Sequence, residues 1–579
     1  RSTSSFLTIY DHTALKAFNL EKFAMGAIAV IATVAIASLA WPVVNTFRYY
    51  IEARKIGLPI VITPAVPLNP FWLLLIPLVG PLTSSLPGYL GEFLNYGRFA
   101  WYFQTKMHVL EKLGPAFVII SPGGMQIQLC DGNSVEELLY RSNDFPKPAS
   151  YYQALDVFGE NLDSVNGREW QRHRKITTPP FNERNSNMVW IESLRQAKGM
   201  LRSWSHAGEV GTTETSQDTM NLALHVLTGA GFGRFYPFEK GVSNPANGHT
   251  MSFKEALHTV LKEFIGVLLL SNSKLMSIIL PKRFDAARIA IPEFKQYLVE
   301  FVEEERVAPQ KSSEHDNLMS ALLRASDLRE VEGEGRRTLT NDEVYGNLFI
   351  YAFAGHESTA NTLAYAITLL AADLKVQDWI REEVQAIASE YGVVENWKYE
   401  EMFPRLKRCL ALMFETLRLY GPVVAFPRAV NDSYQTLTIQ GKQHMIPPHT
   451  VIFGTFTAIH ASKYWGSEPY DWKPKRWILK NEMENNIGNE ELLQPPLSSF
   501  MPWSSGPRVC PGKRFAQVEF VATLALLFQH HRVKPIAEPG ESPSGSKARL
   551  LQAVQDSDIS TTLKMNHPEK VRLCWENDS

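Results

Sequence analysis

Cysteine is scarce in this chain. Its 579 residues hold four, Cys130, Cys409, Cys510 and Cys574, and no two stand at CxxC spacing. The missing spacing argues against iron–sulfur clusters and zinc sites, and so few scattered thiols argue against a disulfide scaffold. They fit a catalytic domain that faces the cytosol. An excess of charge of one sign is missing too. Lys and Arg number 58 against 60 Asp and Glu, and the resulting net charge of −2 points to no nucleic-acid partner. Internal repeats are absent. Hydrophobic residues at 45% against 20% charged mark a globular rather than a disordered chain. The length exceeds one ordinary small domain but lies within reach of one large α-rich core.

From 23 to 47 charge is lacking altogether. This run, rich in Ala, Ile and Val, is long enough to cross a bilayer as a helix. Arg48, Arg54 and Lys55 follow it, so the positive-inside rule places its C-terminal side in the cytosol. A cleaved signal peptide would have a shorter apolar core and a small-residue cleavage site; a buried core helix is the bland alternative. The first residue is Arg1 rather than Met, so further residues are expected before it. The stretch 57–91 is again uncharged, but Pro59, Pro64, Pro67, Pro70, Pro77, Pro81 and Pro87 make it a poor second span. Phe71, Trp72 and Leu73 to Leu75 suit a segment lying against the membrane surface. The expected organisation is a tail over 1–22, a transmembrane anchor over 23–47, a proline-rich membrane-proximal linker over 48–92, and a catalytic domain over 93–579.

Within that domain, 95–113 has the pattern of a first helix. Residues 116–120 and 125–129 have the pattern of two short strands around Pro122-Gly123-Gly124, a hairpin. A loop follows over 144–166. Helical periodicity dominates 167–420, and Pro/Gly-rich and polar segments come after it. The stretch 479–499 lacks periodicity and reads as an irregular polar loop.

What the chain does have is one cysteine in an unusual setting, Phe500-Met501-Pro502-Trp503-Ser504-Ser505-Gly506-Pro507-Arg508-Val509-Cys510-Pro511-Gly512. Gly506 and Gly512 can take positive φ and let backbone approach a ligand closely. Pro507 and Pro511 stiffen the loop and remove two amide donors. From Lys513 the pattern turns helical, and a thiolate near a helix N-terminus is stabilised by free amides and the dipole. Arg508 suits an anionic group beside the thiolate. A free buried cysteine in a surface loop is the bland alternative. The whole run resembles the haem-ligand loop of the cytochrome P450 family, with Gly506, Arg508, Cys510 and Gly512 in register and Trp503 where the family usually has Phe.

Three further motifs follow the family's order. Trp170 and Arg174 stand four apart on one helix face and match its W-x-x-x-R pair. With Arg508, and with Arg428 in Phe426-Pro427-Arg428, the resemblance implies that they contact the haem propionates. His173 beside them fits a helix-surface or core histidine. Thr340 and Glu343 form a capping box that opens a long apolar helix. On it, Ala354-Gly355-His356-Glu357-Ser358-Thr359 resembles the family's oxygen-binding segment. Gly355 costs about 1 kcal/mol against Ala inside a helix, which suits a helix opened locally to admit O2 and water. The resemblance implies that Ala354 and Ser358 face the iron, that Ser358 hydrogen-bonds bound oxygen, and that Glu357 relays protons. Ser358 stands where Thr is usual, so Thr359 is a candidate to assist. Glu415 and Arg418 match the family's E-x-x-R pair. Arg476 completes that network from Lys473-Pro474-Lys475-Arg476-Trp477, where Lys475 replaces the usual Glu. These three are expected to hold the cysteine loop rather than to do chemistry.

The resemblance spans roughly 170–512. It implies a mostly α cytochrome P450 fold with a small β region, here preceded by one transmembrane helix. It also implies a haem b cofactor with Cys510 as the axial ligand of iron. NADPH would supply electrons through NADPH–cytochrome P450 reductase, with cytochrome b5 as a further donor, at an endoplasmic reticulum membrane. The implied reaction is monooxygenation, hydroxylation or epoxidation, of a lipophilic secondary metabolite such as a terpenoid or polyketide. Candidate pocket walls are 151–158, Phe349, Phe353, Ala354, 423–426 and 556–560. Lys407, Arg408, Lys513 and Arg514 are candidates for a positive surface that docks the reductase. The competing readings are a haem-thiolate isomerase or dehydratase that needs no reductase, and a non-catalytic gas-sensing haem protein. The acid–alcohol pair Glu357–Ser358 argues against both.

Overall fold

In a computed structural model of the chain, the described residues are 33, 40–64, 96, 101–106, 108–238, 245–263, 282–307, 317–331, 338–479, 487–559 and 561–578. The fold grows from a long helix, Asn341–Ala372, whose apolar residues face all directions and which is therefore buried along most of its length. Its start is fixed by the expected capping box. Thr340 Oγ1 accepts from the Glu343 amide at 3.3 Å, and the Glu343 carboxylate accepts from the Thr340 amide at 2.7 Å. The helices Thr215–Phe232, Lys407–Tyr420 and Lys513–Gln529 pack against it. Lys513–Gln529 also lies along Glu183–His206. This is the mostly α architecture that the sequence led us to expect.

The β region lies to one side. Its strands in chain order are β1 (Ile60–Ile62), β2 (Ala116–Ser121), β3 (Gly124–Leu129), β4 (Ala425–Ala429), β5 (Gln435–Ile439), β6 (Lys442–Ile446) and β7 (Val451–Thr455). One sheet runs in the order β1-β2-β3-β7-β4, and β5–β6 form a separate hairpin. The predicted hairpin is present as β2–β3, closed at the Ser121–Gly124 pair. Every residue of β2 is buried, as its unbroken apolar run requires.

Several expectations need correction. The segment 95–113 is not one helix. Two short helices, Trp101–Thr105 and His108–Leu113, flank Lys106 at φ 43°, a left-handed angle no helix interior tolerates. The stretch 48–92 is not only a linker. Helix continues over 40–56 through Arg48, Arg54 and Lys55, it buries Ala53 and Ile56, and β1 then joins the edge of the sheet parallel to β2. A three-residue edge strand has no periodicity of its own to read. Among the described residues no helix is long and apolar enough to cross a membrane. Most of the predicted anchor over 23–47, and most of the proline-rich stretch, lie outside the described residues.

Gly159 and Gly346 bring the 144–166 loop onto the long helix. A Cβ on Gly346 would stand 2.3 Å from the Gly159 carbonyl oxygen, so backbone rests directly on backbone. The Leu162 amide then donates to Asn347 Oδ1 at 2.9 Å, and Asn347 Nδ2 meets His173 Nδ1 at 3.1 Å. His173 is accordingly a fully buried core histidine. Phe158 packs edge-on against Phe349, 5.1 Å between ring centres.

Candidate active site

The cysteine loop is built by short-range backbone bonds. The Cys510 amide donates to the Trp503 carbonyl at 2.9 Å, and the Val509 amide to Gly506 at 3.1 Å. Gly506 has φ +69°, and a Cβ there would stand 3.2 Å from the Leu139 carbonyl, so both the turn and the close approach favour glycine. Gly512 differs from expectation. Its φ is −80°, and its place as N-cap of Lys513–Gln529 sets it beside the sulfur rather than in a left-handed turn. The Gly512 amide lies close enough to the Cys510 sulfur to favour its thiolate. Cys510 is exposed by area, yet protein atoms crowd it enough that burial pushes its thiol up. The Gly512 amide, Arg174 and Lys513 pull the other way, and each favours the thiolate.

Four cations gather near that loop. The Arg508 guanidinium lies over the Trp170 ring at 4.7 Å, and its Nη2 donates to Val165 O at 2.9 Å and Asn166 Oδ1 at 2.8 Å. Arg428 is buried, with Nη1 on the Pro427 carbonyl at 2.9 Å. Arg174 is near enough to Cys510 and Tyr351 to feel both. Lys147, which the sequence reading missed, pairs with Asp163 beneath the Tyr152 ring. Burial, with Arg428 and Arg508 nearby, brings Lys147 down to about 8 despite Asp163. Burial and Arg428 bring Arg508 down to about 10. One carboxylate, Asp163, is shared among these charges. Among the described residues Arg508 Nη1 and Arg428 Nε are buried without a hydrogen-bond partner. Unpaired buried cationic N–H groups are costly, and two anionic carboxylates would satisfy them. The donor set therefore fits haem propionates. Lys147 stands between Pro146 and Pro148 in an aromatic loop, with only its isolation there as a signal.

The opposite wall comes from the long helix. Ala354 is exposed while Ala352 and His356 on either side are buried. The helix runs unbroken from Asn341 to Ala372, so the local opening expected at Gly355 is not seen. Instead the hydroxyls bond back along the helix. Ser358 Oγ donates to Ala354 O at 2.8 Å, and Thr359 Oγ1 to Gly355 O at 3.5 Å. A Cβ on Gly355 would meet Leu227 at an ordinary 3.4 Å, so packing does not demand glycine there. Glu357 accepts a hydrogen bond from Thr561 Oγ1. Phe181 links the two walls, since it lies edge-on to Tyr351 at 5.1 Å and would touch a Gly512 Cβ at 3.8 Å. Phe349 is fully buried in the core, packed on Phe158 and Phe294, while Phe353 is half-buried.

The ion network sits behind the cysteine loop. Glu415 and Arg418 are buried, joined by two bonds of 2.8 and 2.9 Å. Glu415 also accepts from the Lys473 amide at 2.8 Å and Trp477 Nε1 at 2.9 Å. Arg476 Nε lies 3.1 Å from Glu415, an ion pair too poorly aligned to be a hydrogen bond. Trp477 then packs on Phe500 at 4.6 Å, and His460 Nε2 accepts from the Met501 amide at 3.1 Å. Phe414 stands edge-on to Trp503, whose carbonyl receives the Cys510 amide. Of the four expected docking cations, Arg408 is withdrawn from the surface. It is buried between Glu490 and Glu382 and cannot contribute to a docking patch.

A family model described as Cytochrome P450 matches residues 84–556. The chain is similar to a cytochrome P450 monooxygenase of Arthrobotrys oligospora, 32% identical over 90% of this chain and 94% of that one. It is also similar to one of Penicillium roqueforti, 29% identical over 89% and 92%. A third relative is the phomenoic acid biosynthesis cluster cytochrome P450 monooxygenase of Leptosphaeria maculans, 28% identical over 90% and 95%. The crystal structure of a cytochrome P450, CYP102L1, superimposes with a TM-score of 0.62 at 18% identity, over 82% of this chain and 94% of that one.

Proposed function

The chain belongs to the cytochrome P450 family of monooxygenases, and on that footing we propose that Cys510 is its haem-iron ligand and that it oxidises a lipophilic secondary metabolite. Haem supplies the capacity to split O2, one atom entering a C–H or C=C bond and the other leaving as water with two electrons and two protons. NADPH provides the electrons through a reductase, with cytochrome b5 as a further donor. The observation that carries the reading is the cysteine at the head of a 17-residue helix, near two arginines, Arg508 and Arg428, with buried N–H groups that lack partners.

The chain's own residues divide the remaining work. The Gly512 amide and Arg174 favour the thiolate form of the sulfur and oppose the effect of burial. Arg508, Arg428, Arg174 and Lys147, with Trp170 under the Arg508 guanidinium, would hold the haem propionates. Glu415, Arg418 and Arg476 fix the loop through Trp477 and Phe500. Ser358 Oγ donates to the Ala354 carbonyl, and serine, lacking the methyl of threonine, can turn that hydroxyl about χ1 to hold a proton on the haem side of the helix. Glu357 replenishes its proton. The uncharged run over 23–47 supports a single-pass anchor in the endoplasmic reticulum membrane with the domain in the cytosol. Cys510→Ala is expected to abolish the red-shifted ferrous–CO band of the purified protein. A band that survives the substitution removes Cys510 from the iron.

A further inference from the structure

Three residues four apart on the long helix, Glu357, Asn361 and Tyr365, lie on one face and bond to one C-terminal hairpin, Ser557–Ile559 with Leu563–Met565. Tyr365 Oη donates to Ser557 Oγ at 2.7 Å. Asn361 Nδ2 donates to Thr562 Oγ1 at 3.0 Å. Thr561 Oγ1 donates to Glu357 Oε2. The first two bonds join neutral groups and already seat the hairpin, which is secured again by the Leu563 amide on the Pro422 carbonyl at 3.0 Å. The third engages a carboxylate that is only half-buried and would otherwise be free to turn.

From this ladder we infer that Thr561 is a positioning residue for the Glu357 carboxylate. The inference rests on the reading of Glu357 as proton donor. The hydroxyl fixes Oε2 and leaves Oε1 to exchange protons with water and Ser358. Because Thr561 sits on the turn of the hairpin, a ligand pressing on that turn would move the acid as well.

The test uses the full-length holoenzyme with reductase and NADPH and no added substrate. It measures hydrogen peroxide released per O2 consumed, since poor proton delivery diverts O2 to peroxide instead of water. Thr561→Val is expected to raise that ratio about threefold or more, the weight of one lost hydrogen bond at a half-buried site. Thr561→Ser, which keeps the hydroxyl, should stay within about twofold of the parent on the same ground. In a Glu357→Gln background Thr561→Val should add nothing. A second readout needs no turnover: the infrared carboxylate band that disappears in Glu357→Gln should shift in Thr561→Val and not in Thr561→Ser. If Glu357→Gln leaves the peroxide ratio unchanged, the acid reading falls and takes this inference with it. If Glu357→Gln raises the ratio while Thr561→Val does not, or if Thr561→Val acts equally without Glu357, only the positioning role falls.

Discussion

The Arg508 guanidinium carbon lies over the Trp170 ring, 4.7 Å from its centre, with Nη2 on Asn166 and Nη1 buried and unpartnered. A planar fork clamped this way presents its free N–H groups in one fixed direction. Lysine keeps the charge but cannot stack flat or donate through a fork. Arg508→Lys should therefore weaken cofactor retention, with haem passing to an apo-globin acceptor about tenfold faster. Trp170→Phe keeps a ring under the guanidinium and should cost less. Equal transfer rates for the parent and Arg508→Lys would take Arg508 out of propionate binding.

That arginine was legible from the sequence because it stands two residues from Cys510, in a loop whose turn is closed by short-range backbone bonds. The β2–β3 hairpin and the Glu415–Arg418 pair were legible for the same reason, each being closed by residues within a few positions of one another. What escaped reading depends on contacts across hundreds of residues. Thr561 meets Glu357 from 204 positions away, and β1 is a strand only because β2 runs beside it. Lys147 joins the arginines through a loop that is itself seated by Gly346 on another element. Arg408 sits in the right segment for a docking surface, yet Glu490 and Glu382 bury it. Gly512 shows a subtler limit, since its neighbourhood was correct and its backbone angle was not.

A histidine clasp away from the active site makes stability depend on pH. His249 is enclosed between Glu293 and Glu300, 2.9 Å from each carboxylate, and stacks on Tyr297 at 3.6 Å. Burial alone would lower its pKa, but the bonds to Glu300 and Glu293 outweigh it and raise it above 6.5. Both glutamates are lowered below 4.5, against burial, by Thr250, Gln296 and His249. A raised histidine contributes stability that is fully present below about 6.5 and is lost as pH rises through its folded value. The lowered glutamates contribute stability that is present above about 4.5 and is lost as pH falls. His249→Gln should therefore lower Tm most between about pH 5 and 6, and the gap from the parent should close in alkaline buffer. Melting curves across pH check this; a gap independent of pH would mean that the clasp works by packing alone.

Gly346 carries the position of the whole 144–166 loop, and with it Lys147 and Asp163. A methyl group there would overlap the Gly159 carbonyl, 2.3 Å away, and reach the Glu160 carbonyl at 2.8 Å. Neither obstacle is a flexible side chain, so backbone must shift. Gly159 cannot give way by adopting a different residue's geometry, because its φ is +145° and its own Cβ position is filled by the Asp342 carbonyl at 2.0 Å. Overpacking of this kind typically costs about 1–3 kcal/mol, and the cost here falls on one interface rather than spreading through the core. Gly346→Ala should then lower Tm by about 1–3 °C and also loosen haem retention, since the displaced loop takes Lys147 away from Arg508 and Arg428. A control, Gly355→Ala on the same helix, meets only ordinary contact with Leu227 and adds helix propensity, so it should leave Tm unchanged or raise it. Parallel melting curves and haem-transfer rates for the two variants decide the point: equal behaviour would mean that the loop rides on the helix without being fixed by it.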